Sequence, residues 1–293
     1  MVMVTLQALR LVNFGGYRDT TFKFDATKQP ISLFYGPNGF GKSTILEAIR
    51  ITSNPLVFKD RAREDASIYL RPWTYDNDYQ TASGNVKQAR NELYVHAVYV
   101  DGKEQRNVVL GNEGFIVNEL GEQHRGYSYY ADADNPINWS KFQLHEQDAA
   151  KFIELAEAIY GFEVDLSEEV YDQITEPDGS VTKHLFYQDV VISKGKDRVH
   201  FCRMSAGEKK IATLVRQLCD PDNLIGKNII LVDNLEMHVY FKRHPLMLEK
   251  LKQHFAGKQV IATTHSSVMV DAVPPICRYD LEKFRPEYKV LKV

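Results

Sequence analysis

The sequence has few cysteines and no long apolar segment, and both absences restrict what the protein can be. Cys202, Cys219 and Cys277 are its three cysteines, and no two of them are closely spaced. Scattered thiols in odd number argue against a disulfide framework and a structural zinc site. No run of about 18 apolar residues predicts a membrane span. The N-terminus also lacks the basic and apolar regions of a signal peptide, so we expect a soluble, cytoplasmic protein without membrane contact.

The chain also has little excess charge of either sign. Its 36 Lys and Arg residues oppose 39 Asp and Glu residues, which gives a formal net charge of −3. Without an overall basic field, any contact with DNA would have to come from local clusters such as Arg61, Arg63 and Arg71. Acidic residues are interleaved with these arginines, so a solvated loop is the alternative interpretation. No internal repeat, low-complexity tract or long heptad run is present.

The order of the predicted elements favours an α/β domain with a parallel core sheet. The first 35 residues predict strands, and an Asp101-Gly102 turn between alternating runs predicts a hairpin over 92–110. A second hairpin is predicted around residues 194–197, whereas 55–91 and 121–138 are predicted to be an irregular insertion and a loop. Helices are predicted over 43–51, 146–160, 206–218 and 245–255, with strands over 228–232 and 259–263. In the C-terminal third, helices and strands alternate, as is typical of a parallel sheet.

The strongest motif is a phosphate-binding loop. Residues Gly36 to Ser43 read GPNGFGKS, which matches GxxxxGK[ST] after a predicted strand and before a predicted helix. The glycines let backbone N–H groups surround phosphates, Lys42 adds a positive charge, and Ser43 offers an oxygen to Mg²⁺. We therefore predict binding of a nucleoside triphosphate. The binding residues predicted from this loop are Asn38, Gly39, Gly41, Lys42, Ser43 and Thr44.

An acidic strand end lies downstream of the loop. Asp233 ends the apolar run 228–232, where a carboxylate is placed to hold magnesium. Many ATPases have a glutamate next, as the general base for the attacking water. Here the next residue is Asn234, which can orient water but cannot accept its proton. Glu236 is the nearest alternative carboxylate, and a structural or solvated role is its other interpretation.

Three further positions carry polar groups near these motifs. His265 follows a short apolar strand and is predicted to donate to the γ-phosphate. Gln143 precedes a predicted helix and is a candidate ligand that joins magnesium to the inserted lobe; a plain polar residue is the alternative. His238 and His244 flank the acidic strand end, but they lack partners with ligand spacing, so surface histidines are favoured over a metal site.

The segment Met204 to Lys210 contains a helix-start signal. Ser205 and Glu208 have the S-x-x-E spacing of a capping box, and an apolar helical stripe follows them. Capping is its local function. The helix end also offers free N–H groups and a positive dipole end to a phosphate.

Together these motifs resemble the ABC-type ATPase heads of the SMC/RecF/OLD class. The resemblance rests on Asn13-Phe14 with Tyr17, Gly36-Pro37-Asn38-Gly39, Ser205-Ala206-Gly207-Glu208, Asp233-Asn234-Leu235-Glu236 and His265. It implies an ABC-type P-loop fold with a parallel core sheet, an N-terminal antiparallel β subdomain and a helical or irregular insertion lobe. We expect one domain over 1–293, with 1–54 and 201–293 as the nucleotide-binding core and 55–200 inserted.

The resemblance also implies a mechanism. Two heads would form a homodimer, or a higher oligomer, with ATP held by Lys42 and Ser43 of one subunit and covered by Ser205 and Gly207 of the other. The absence of a coiled-coil run and of a Toprim-like domain after His265 predicts a head that acts on a separate effector, such as a nuclease, in DNA repair or anti-phage defence. A non-hydrolysing ATP sensor and a RecF-like DNA-binding ATPase are the alternatives.

Overall fold

The computed structural model describes residues 4–25, 31–56, 58, 93–111, 114–121, 126–132, 144–175 and 181–284. Most of the predicted insertion over 55–91, with Arg61, Arg63 and Arg71, lies outside these residues, and so does Gln143. No helix in the described part of the chain combines the length and apolar character that crossing a membrane requires.

A five-stranded parallel sheet forms the centre of the structure. Its strands are β3 (Ile31–Tyr35), β7 (Ser128–Asp132), β12 (Ile229–Asp233), β13 (Gln259–Thr264) and β14 (Arg278–Asp280). Their spatial order is β14-β3-β13-β12-β7. Because all five strands run in the same direction, their carboxyl ends meet at one edge, where open α/β sheets bind ligands.

Side chains alternate between two apolar layers on the faces of this sheet. In β12, Ile230 and Val232 pack into one cluster with helices α2 (Glu146–Tyr160), α3 (Ala206–Cys219) and α5 (His244–His254). Ile229 and Leu231 pack into the other cluster, with α1 (Lys42–Ser53) and the N-terminal strands. Burial on both faces explains why β12 is continuously apolar. Among the described residues there are also three short helices, α4 (Pro221–Leu224), α6 (Ser267–Asp271) and α7 (Leu281–Phe284).

Two antiparallel sheets flank the parallel one. The N-terminal sheet, in the order β2-β1-β4-β5-β6, contains β1 (Val4–Phe14), β2 (Tyr17–Lys23), β4 (Tyr94–Asp101), β5 (Glu104–Gly111) and β6 (Gly114–Asn118). The other contains β8 (Leu144–His145), β9 (Glu163–Thr175), β10 (Val181–Lys194) and β11 (Asp197–His200). Both predicted hairpins are confirmed, since β4 pairs with β5 and β10 with β11. The predicted α/β fold class is confirmed as well.

The predicted loop over 121–138 is wrong in its middle. Residues 128–132 form β7, which pairs in parallel with β12 at the edge of the core sheet. The long strand β9 and the short β14 also had no predicted counterpart. Our division into a core of 1–54 and 201–293 stays a prediction, and β7 brings residues from between these ranges into the core sheet.

Candidate nucleotide-binding site

The phosphate-binding loop joins the carboxyl end of β3 to α1. Gly39 and Gly41 both have φ near +81°, and a Cβ at Gly39 would meet nothing within 4 Å, so backbone conformation alone favours glycine there. Gly41 precedes α1 without a side-chain cap, which leaves the first N–H groups of the helix to an external acceptor. Tyr17 supports the loop because its hydroxyl donates to the carbonyl of Phe40 at 2.8 Å. A helix start with free N–H groups has the geometry that suits an anion, as predicted for this loop.

Lys42 holds its ammonium group inside this loop. Its Nζ donates to the carbonyls of Gly36 at 2.9 Å and Pro37 at 3.0 Å, and the residue is only 7% exposed. Burial lowers the pKa of Lys42, while the nearby carboxylates of Glu236 and Asp233 act in the opposite direction. The ammonium is thus a partly desolvated positive charge that faces two negative ones.

Asp233 is fixed by hydroxyl groups from both neighbouring strands. Thr263 Oγ1 on β13 donates to Asp233 Oδ1, and the Tyr130 hydroxyl on β7 donates to Oδ2 at 3.1 Å. Thr263 Oγ1 also accepts the backbone N–H of Asn234 at 2.8 Å. The carboxylate is 7% exposed, so these bonds determine which way it points.

Glu236 connects the end of β12 to the turn that follows β13. Its Oε2 accepts from Thr264 Oγ1 at 2.6 Å, and its Oε1 accepts from the backbone N–H of His265 at 2.7 Å. Both carboxylate oxygens therefore have a donor within the protein. His265 itself is exposed at the same edge of the sheet. This geometry favours the structural interpretation of Glu236, in which the carboxylate positions the His265 turn.

The predicted capping box at Ser205 is present. The Ser205 side chain accepts the N–H of Glu208 at 3.3 Å, and Glu208 Oε2 accepts the N–H of Ser205 at 2.8 Å. Lys194 on β10 forms an ion pair with Glu208. Gly207 lies against the loop after β12, since a Cβ there would approach His238 to 3.3 Å. Ser205 is exposed, which leaves the start of α3 open to the surface.

The structure brings most of the predicted residues to one edge of the core sheet. The loop with Lys42, the Asp233–Glu236 segment and the His265 turn meet at the carboxyl ends of β3, β12 and β13. Ser205 and Gly207 lie beside the loop after β12. The structural contacts leave the chemical roles of these residues as predictions.

Sequence reasoning missed several residues of this region. Tyr130 had no signal, because its segment was predicted to be a loop. Thr263 and Thr264 carry no sequence signal for their bonds to Asp233 and Glu236. The expectation that His244 is a surface histidine is wrong, since it is 4% exposed and both ring nitrogens are hydrogen-bonded. A histidine just before a proline at a helix start gives no sequence signal for such burial.

The fold is that of the ABC-type P-loop ATPase heads of the SMC-like class, so the resemblance drawn from the sequence is confirmed. A family model described as an AAA domain matches residues 8–174, more than half of the chain, and the protein belongs to this family.

Solved structures of SMC head domains share the fold. An SMC head domain from Thermotoga maritima has a TM-score of 0.55 and 16% identity, with 92% of each chain covered. An Smc head domain with an extended coiled coil, bound to the C-terminal domain of ScpA, from Pyrococcus furiosus has a TM-score of 0.56 and 12% identity, again with 92% of each chain covered.

Two curated proteins are similar in sequence. The Septu protein PtuA of Bacillus thuringiensis is 22% identical over 303 aligned positions, which cover 92% of this chain and 74% of PtuA. The Retron Vc95 probable ATPase of Vibrio cholerae serotype O1 biovar El Tor is 28% identical over 103 positions. That match covers 32% of this chain and 20% of the retron protein.

Proposed function

We propose that this protein is a Mg-ATP-dependent switch whose nucleotide site lies at the carboxyl edge of the core sheet. The observation that carries the proposal is the buried Lys42 ammonium between two loop carbonyls, opposite Asp233 and Glu236. A triphosphate would give this desolvated charge a strong anionic partner. The residues proposed to bind it are Asn38, Gly39, Gly41, Lys42, Ser43 and Thr44.

The residues present also fit a magnesium ion. Ser43 offers a hydroxyl at the first turn of α1, and Asp233 offers a buried carboxylate whose direction is fixed. Hydroxyl and carboxylate oxygens are the ligands that Mg²⁺ prefers. Gln143 is proposed as a further ligand, although it lies outside the described residues. When bound, the ion would neutralise phosphate charge and the nucleotide would supply the hydrolysable anhydride.

We further propose that two heads associate through the nucleotide. Ser205 caps the start of α3 at an exposed position and Gly207 lies in its first turn, so the positive end of that helix is available to the γ-phosphate held by another copy. ATP contacts made only in the assembled state would shift the equilibrium towards the dimer or a higher oligomer.

Hydrolysis is proposed to be slow. Asn234 cannot take a proton, and general-base catalysis typically contributes about 10²–10⁴-fold to rate. The bonds that Glu236 accepts from Thr264 and from the His265 N–H favour a structural role for this carboxylate over that of a general base. His265 remains the proposed donor to the γ-phosphate, and Asn234 the residue that orients water.

The proposed output is control of a separate effector protein such as a nuclease, in the cytoplasm. Similarity to a Septu protein and to a retron ATPase supports anti-phage defence over DNA repair as the setting.

Sedimentation velocity with and without Mg-ATP tests the proposal. Wild type should associate when ATP is added, and Lys42→Ala should stay at its ATP-free mass because it lacks the charge that holds the phosphates. Lys196→Ala removes a lysine from the exposed β10–β11 turn and is the matched control, which should behave as wild type. ATP-induced association of Lys42→Ala would contradict the proposal.

A non-hydrolysing ATP sensor is the second candidate, and the double engagement of Glu236 favours it. Steady-state turnover separates the two functions. A sensor should show no turnover above background, while Asn234→Glu should raise it. Measurable turnover in wild type that Lys42→Ala abolishes would instead support the slow ATPase.

A further inference from the structure

His244 is a buried histidine that bonds to the two loops flanking the nucleotide site. Its Nε2 lies 3.1 Å from the carbonyl of Val239, in the loop that follows Asp233. Its Nδ1 lies 2.7 Å from Ser266 Oγ, one residue after His265. The residue is 4% exposed, so water competes little for either bond.

The chemistry of the two partners determines the role of each ring nitrogen. A carbonyl only accepts, so Nε2 must carry the hydrogen and donate it to Val239. In the neutral imidazole, Nδ1 then accepts from the Ser266 hydroxyl. Ser266 Oγ in turn accepts the N–H of Met269 at 3.2 Å and caps α6. One orientation of the ring therefore satisfies both loops.

Glu236 joins the same two loops at a second point. It belongs to the loop after Asp233 and accepts from Thr264 and His265 on the other side. Ser266 completes the connection because its N–H donates to Thr264 Oγ1 at 3.0 Å. The His265 turn is thus held on one side by Glu236 and on the other by His244.

We infer that His244 is a positioning residue that holds the turn 264–266 against the loop 234–239, so that the two move as one unit. The positioning role itself does not depend on the proposed function. Only the cause of the movement rests on it, because that cause is nucleotide binding at His265. The same loop leads to Tyr240 and Phe241, which are 56% and 53% exposed. Movement of the turn would therefore reach an apolar pair on the surface.

Hydrogen–deuterium exchange of the nucleotide-free protein tests the positioning role. His244→Ala should speed backbone exchange about fivefold or more in both 236–240 and 264–270, because it removes the bond that each segment makes to the imidazole ring. His254→Ala is the matched control, since His254 ends the same helix and bonds to the carbonyl of Leu218 at 2.9 Å. It should leave both segments unchanged. His244→Asn keeps an acceptor near the position of Nδ1 and should restore slow exchange in 264–270 only.

Unchanged exchange in His244→Ala, or an equal increase in both alanine variants, would overturn the inference. Adding Mg-ATP then tests the shared movement. ATP should alter both segments of wild type but only 264–270 of His244→Ala, and an unaltered response of both segments in that variant would also overturn it. If ATP alters neither segment of wild type, the proposed nucleotide function fails, while the nucleotide-free comparison still decides the positioning role.

Discussion

At the scale of single residues, the backbone conformation at position 234 favours asparagine, in addition to any role of its side chain. Its φ is +48°, in the left-handed region that Asn enters more readily than most residues. Its N–H donates to Thr263 Oγ1, which also bonds to Asp233, so the strained residue is tied to the carboxylate beside it. A glutamate in this place would have to adopt the same unfavourable conformation.

Substitutions at Asn234 should therefore follow backbone preference. We expect Asn234→Ala to lower the free energy of unfolding by about 1 kcal/mol, and Asn234→Gly to equal or exceed wild type. Asn118 lies in the extended strand β6, where glycine has no such advantage. Asn118→Ala should therefore be more stable than Asn118→Gly. Urea unfolding of the four variants measures both orders. A less stable Gly than Ala at position 234 would show that the conformation does not govern this site.

At the scale of elements, helices and strands with a continuous apolar pattern were predictable, and the edge strand β7 was not. The helix predicted over 146–160 is α2, and the capping box starts α3 at Ala206 as its spacing indicates. Both carry their apolar stripe within one continuous segment, and α3 adds its capping box. Strand β7 is different, because its five residues become a strand only by pairing with β12.

Glu208 makes the start of α3 sensitive to acid. Burial raises the pKa of Glu208. Hydrogen bonds from Lys194 and Ser205 lower it by more, so the pKa lies below the usual 4.5. A lowered carboxyl pKa stabilises the folded state above pH 4.5, and this contribution is lost as pH falls through the folded pKa. Glu208→Gln should thus be less stable than wild type at pH 7, with a smaller difference below pH 4.5.

Urea unfolding of wild type and Glu208→Gln at several pH values measures this difference. Glu249→Gln serves as the control, because Glu249 is exposed within α5 and lies away from any helix start. A Glu208→Gln difference that stays constant down to pH 4 would mean that the charge of the carboxylate is not what stabilises the capping box.

At the scale of the whole molecule, one buried side chain joins the N-terminal sheet to the parallel sheet. Gln259 begins β13 and is 3% exposed. Its Oε1 accepts the N–H of Leu6 at 2.8 Å, and its Nε2 donates to the carbonyl of Leu6 at 3.0 Å. The bonds occur beside the point between Leu6 and Ala8 where the pairing of β1 with β4 shifts register.

Removing this junction should destabilise the entire fold. Gln259→Leu leaves the N–H and carbonyl of Leu6 buried without partners, and each such loss costs about 1–3 kcal/mol. We expect a loss of about 2–4 kcal/mol in urea unfolding. Gln253→Leu makes the same change at an exposed position of α5 and should cost little. Similar losses in the two variants would show that the pair of bonds does not join the sheets.

The sequence by itself determined the class of protein, the phosphate loop, the acidic strand end and the capped helix. Each of these signals lies in a short continuous segment whose chemistry does not depend on distant residues. The tertiary structure decided what surrounds them, including Tyr130 beside Asp233, both donors to Glu236 and the buried bonds of His244. These contacts join residues that are distant in the chain, and only the parallel sheet, by bringing its strand ends to one edge, makes them neighbours.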